Sequence, residues 1–245
     1  MRRNFSSSRL VRVLGRWDTT VAESPRQDLA ERMGHWLHVR DAITLDAAHR
    51  AIQSLPAQWA VPRRRGAGTA EALVQEVQRV RETLVQAILA APAPPAAVRR
   101  GRHALPLPEG PAAPVAEPTA EAAFAPYRQR YLELQHQMDL RIDALRVHVR
   151  RQLATLAPEL AQLAALDAVM EQMLGERTGK ALSALPALLE RRCMQPGGTA
   201  APGPQAWERE LQDVLLAELE TRLEPVVGLV EAGSRHRRGG QEVQA

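Results

Sequence analysis

The feature that most constrains this chain is one long run of apolar residues at helical spacing. After Tyr127 come Tyr131, Leu134, Met138, Ile142, Leu145, Val149, Leu153 and Leu156, at steps of 4, 3, 4, 4, 3, 4, 4 and 3. The mean step is about 3.6 residues, the repeat of an α-helix. A helix over residues 127–156 spans about 45 Å at a rise of about 1.5 Å per residue. One narrow apolar stripe of that length needs one or two long partner helices to cover it. Composition points the same way. Alanine is about one residue in six, and there are only two tyrosines and two phenylalanines. Alanine, leucine, arginine and glutamate are strong helix formers. The predicted fold is all-α: a helical bundle around one long helix, with Pro/Ala-rich disordered linkers.

Residues 8–55 read as a small N-terminal three-helix unit. Ser8 is positioned to cap a short helix carrying Leu10, Val13, Leu14 and Trp17. Ser24, Pro25 and Gln27 form a capping box for a second helix, with Leu29, Met33, Trp36 and Leu37 on its buried face. A third is predicted to start at Thr44, to present Leu45, Ala48, Ile52 and Leu55, and to stop at Pro56. Residues 56–68 are a basic linker. Residues 69–90 form a helix through Leu73, Val77, Val80, Leu84 and Ile88. Nine of the 18 prolines fall in residues 91–126, which therefore read as a disordered linker.

Residues 127–194 hold the long helix and a helical hairpin. Pro158 restarts the chain through Leu160, Leu163, Leu166, Met170 and Met173, Gly175 is predicted to end that helix, and Pro186 breaks the next segment near Ser183. Residues 195–205 form a flexible linker. Residues 206–232 are a C-terminal helix through Trp207, Leu211, Leu215, Leu219, Leu223, Val226 and Val230, with Pro225 predicted to kink or interrupt it. Residues 233–245 are a disordered polar tail.

The formal net charge is only +4, because 32 basic residues face 28 acidic ones. The basic excess lies in residues 1–66, with 12 arginines against six acids, whereas residues 195–232 carry two arginines against seven acids. Opposite signs favour an approach of the two ends. Cys193 is the single cysteine, so no intrachain disulfide forms, consistent with a reducing cytoplasm. No run of about 18–20 apolar residues marks a membrane span. Arg12 breaks the only candidate signal core, Leu10 to Leu14.

Motifs for chemistry are weak. Gly175–Ala181 looks like a phosphate loop but has three residues between its glycines, ends in alanine, and follows a helix. His35 and His38 stand at i, i+3 but lack the carboxylate-plus-histidine repeat of a bundle metal site. Cys193 follows Arg191 and Arg192, and reads as a packed thiol at a helix end. Ser6, Ser7 and Ser8 have no base beside them in sequence. No catalytic, cofactor-binding or metal-ligating residue is assigned. Arg63, Arg64, Arg65, Arg99, Arg100 and Arg102 are the candidate phosphate contacts, on linkers without a positioned reading element.

Four segments carry a family resemblance: Arg9–Trp17 (RLVRVLGRW), Leu29–Ala48 (LAERMGHWLHVRDAITLDAA), Leu166–Arg192 (LDAVMEQMLGERTGKALSALPALLERR) and Leu211–Ala232 (LQDVLLAELETRLEPVVGLVEA). Together they resemble a family of uncharacterised bacterial proteins, chiefly proteobacterial, with no assigned activity. The resemblance implies a chromosomal bacterial protein whose genes lie near those for proteins resembling envelope proton channels and peptidoglycan-binding proteins. It implies no site residue. The expected function is a cytoplasmic, non-catalytic interaction protein, an adaptor or scaffold. It would meet protein partners, a second copy included, through helical faces, without a cofactor. The alternative is a nucleic-acid-associated factor binding phosphates through the arginine-rich linkers.

Overall fold

The computed structural model describes residues 8–17, 39–53, 69–90, 120–194 and 203–242. Within these residues the chain is all-α, with no strand. The helices are α1 (Arg9–Gly15), α2 (Val39–Gln53), α3 (Thr69–Leu89), α4 (Ala120–Ala154), α5 (Pro158–Leu182), α6 (Leu185–Met194) and α7 (Pro204–Glu242).

The long helices α4 and α7 lie side by side at the centre. They run parallel. Trp207 packs on Phe124 and Tyr127, Glu218 meets Tyr131, Arg222 meets Asp139, and Gly233 abuts Leu153, so both numbers rise together. α3 runs antiparallel to both: its C-terminal carbonyls reach Arg130, and its first turn offers Glu71 to Arg237. α5 runs antiparallel to α4, from Asp167 beside Arg146 to the Leu182 carbonyl beside Gln135. After the turn at 183–184, α6 continues cover over α4 and α7 with Leu185, Leu189 and Cys193. α1 packs on α7 through Leu10 and Val13, and Arg9 reaches Glu220 at 3.1 Å and Asp213 at 3.7 Å. α1, from the basic N-terminal stretch, thus meets the acidic α7. α2 packs on α5.

The expected stripes form the core. Tyr131, Leu134, Met138, Ile142, Leu145, Val149 and Leu153 of α4 are buried, as are Leu211, Leu215, Leu219, Leu223, Val226 and Val230 of α7. Several boundaries differ from expectation. α4 begins at Ala120 and runs through Pro126, because buried Phe124 packs against Tyr127 and Trp207 and anchors the added turns. Leu156 falls in the turn after α4, mostly outside the core.

α2 is already helical at Val39, ahead of Thr44. α5 passes Gly175 and Gly179 without ending. Both glycines face solvent, and buried Leu182 beyond them fixes the last turn. α7 passes Pro225, which is exposed, while Leu223 and Val226 on either side are buried. It also passes Gly233, where a Cβ would stand 2.7 Å from Leu153 Cδ2, so this glycine permits close helix approach and does not terminate the helix. α7 therefore extends to Glu242, into the stretch read as tail. The helix over residues 24–37, the linkers 56–68 and 91–119, and residues 195–202 lie outside the described residues.

Candidate interaction surface

The interior is locked by polar side chains as well as apolar ones. Glu218, on the buried side of α7, is fully inaccessible to solvent. Its carboxylate accepts the Tyr131 hydroxyl at 2.7 Å, the Gln135 amide at 2.9 Å and the Arg222 Nε at 2.8 Å. Gln135 also donates to the Leu182 carbonyl at the end of α5, at 3.0 Å, and Arg222 pairs with Asp139. The carboxylate thus ties α7 to α4, and Gln135 carries the link on to α5. Burial, and then the Glu218 charge beside it, push the Tyr131 hydroxyl far above the ordinary tyrosine range, so it stays protonated as a donor.

Two further clusters sit nearer the surface. Arg146 grips Asp167 with two bonds at 2.8 and 2.6 Å, and Arg150 reaches Glu171 at 2.6 Å, joining α4 to α5. Burial opposes the Arg146 charge, but the Asp167 bond with Glu171 and Asp143 outweighs it and raises its pKa. Asp143 is raised by burial, Glu171 and Asp139, against the pull of Arg222 and Arg146. At the other end Arg130 pairs with Glu208 at 2.5 Å and donates to the carbonyls of Ile88, at 3.0 Å, and Ala90. A guanidinium at the last carbonyls of α3 also complements the negative end of that helix dipole.

α4 carries a second set of apolar residues, Leu132, Leu140 and Val147, which are 47%, 60% and 37% exposed. At about 100° per residue they fall within one sector, opposite the buried stripe. His136 lies within that sector and is exposed. Among the described residues no group of three His, Cys, Asp or Glu side chains is placed to hold a metal ion, and no helix is long and apolar enough to cross a membrane.

The residues singled out from sequence fare unevenly. Arg63, Arg64, Arg65, Arg99, Arg100 and Arg102 lie outside the described residues, as do His35, His38, Ser6 and Ser7. Ser8 holds the N-cap position of α1, but its side chain makes no capping bond. The Gly175–Ala181 segment lies inside α5, so it is neither loop nor turn. Cys193 is buried, and burial together with the Glu210 charge pushes its thiol up to about 11, outweighing Arg192. The Glu218 cluster was not singled out from sequence. Its signals were a tyrosine within the α4 stripe, whose hydroxyl needs a buried partner, and an acid beside Leu219 on the α7 stripe, four residues before Arg222.

No curated protein and no solved structure matches the chain. A family model described as a protein of unknown function, DUF3348, matches residues 1–235, nearly the whole chain, and the protein belongs to that family.

Proposed function

We propose that this protein is a non-catalytic helical scaffold that binds a partner protein along the outer face of α4. The observation carrying this reading is the exposed stripe of Leu132, Leu140 and Val147 on a helix whose opposite side is already buried. Exposed leucines scattered singly are ordinary, but apolar residues aligned along some 20 Å of one rigid helix offer a seam for coiled-coil-like pairing. The framework around Glu218 and Arg146 supports the same role, because it holds α4 straight and in register against α5 and α7.

The bacterial source and an envelope-associated complex belong to the same proposal and rest on the family resemblance, whereas the cytoplasmic setting rests on the single cysteine and the sequence pattern. Phosphate binding through the arginine-rich stretches rests on sequence alone.

The test is a photo-crosslinking amino acid at position 140, compared with one at the exposed position 224 on α7. In the native host, position 140 should give one discrete product, a second copy of the chain included, that position 224 does not, and Leu132→Glu should abolish it. Equal labelling from both positions, or a product unchanged by Leu132→Glu, would refute the reading.

A further inference from the structure

α2 is held differently from the other helices. No side chain in residues 41–53 is fully buried; Asp41, Leu45, Ala48 and Ile52 are half-buried and the remainder exposed. Every other helix sends side chains into the shared core, down to the short α1 with Leu10 and Val13. Among the described residues the principal packing partner of α2 is α5. Arg177 of α5 donates to Asp41 at 2.7 Å.

That ion pair fixes how the two helices face. Asp41, Leu45, Ala48 and Ile52 follow at steps of 4, 3 and 4 and make one stripe, and on α5 Leu166, Met170, Met173 and Arg177 follow the same steps. α5 extends only over residues 178–182 beyond Arg177, whereas α2 extends over 42–53 beyond Asp41. The greater part of α5 available to α2 therefore precedes Arg177, where Met170 and Met173 are half-buried and Leu166 stays 37% exposed.

A lone helix of about this length is marginal in water, and among the described residues it is the packing on α5 that supports α2. Its exposed internal pairs, Arg50 with Asp46 and Gln53 with His49, add little. We infer that α2 is a releasable cover for the outer stripe of α5, latched by Asp41 and Arg177, and that it melts as it leaves. Release bares two methionines, which repack readily around a different amphipathic helix, beside an arginine ready to pair with an acid on that helix. This goes beyond the scaffold reading and stands whether or not α4 binds a partner.

Hydrogen exchange of the full-length chain, read by mass spectrometry, tests it. Amides of residues 41–53 should exchange at least ~100-fold faster than those of residues 211–230, which report global opening. Arg177→Ala should speed exchange in α2 at least ~threefold further and leave α7 unchanged, and Asp41→Asn, a change on the cover itself, should do the same. Protection of α2 equal to that of α7 would overturn the inference. Fast exchange that neither substitution alters would overturn the latch.

Discussion

Glu218→Ala removes the acceptor on which three donors converge. The Tyr131 hydroxyl, in a side chain with no solvent exposure, loses its partner outright. Gln135 keeps the Leu182 carbonyl, and Arg222 keeps Asp139. An unpartnered buried hydroxyl costs about 1–3 kcal/mol. The partly stranded Arg222 and the void left by the side chain bring the loss to about 3–5 kcal/mol, the usual range for breaking a buried ion pair from one side. Urea unfolding followed by circular dichroism at pH 7 measures it.

Tyr131→Phe leaves Glu218 bonded to Gln135 and Arg222, and should cost about 1 kcal/mol. Because the hydroxyl's partner is already gone in Glu218→Ala, adding Tyr131→Phe to that variant should cost less than it does alone, with a coupling of about 1 kcal/mol. A loss below about 1 kcal/mol for Glu218→Ala, or strict additivity in the cycle, would refute the reasoning that this carboxylate ties α7 to α4.

Arg130→Ala strips the cap from α3 and takes the cation from Glu208, which keeps only the Gln212 amide, so it should lower stability by about 2–3 kcal/mol in urea, and Arg130→Lys should restore less than half, because a point charge cannot fork to Glu208 and two carbonyls. Cys193, with its thiol held at about 11, should react with iodoacetamide at pH 8 at least ~100-fold more slowly in the folded chain than in urea. Asp143 has its pKa raised from 3.8, so the folded state holds its proton more tightly than the unfolded one, and stability falls as pH rises through that window. Asp143→Asn should therefore be more stable than the parent at pH 7, by less than about 1 kcal/mol because the group is solvent-exposed, with the gap closing near pH 3; thermal melts at both values check it.

The core was legible from residues because the long helices bury stripes at regular spacing: the steps from Tyr131 to Leu153 identify nearly every buried position of α4 there, and those from Leu211 to Val230 identify part of a wider buried face on α7 that also takes in Val214, Ala217, Glu218 and Leu229. Helix ends were less legible, because local signals lost to tertiary packing. Pro126 lies in a helix that Phe124 anchors, Pro225 lies between buried Leu223 and Val226, and Gly233 serves close contact with Leu153. The parallel course of α4 and α7 could not be read at all, since helices of either direction show the same stripe. Nor could the outer apolar set of α4: Leu132, Leu140 and Val147 stand out only once the buried side is known. Opposite charge at the two ends did anticipate Arg9 on Glu220.

The parallel pairing of α4 with α7 is what closes the interior and turns the Leu140 face outward. Spin labels at exposed positions 128, 209 and 235, in a Cys193→Ser background, test it most directly. The 128–209 pair should read below about 25 Å, and the 128–235 pair should read at least about 35 Å, the length of some 25 helical residues. A short 128–235 distance with a long 128–209 distance would mean the two helices run antiparallel, and would contradict the account.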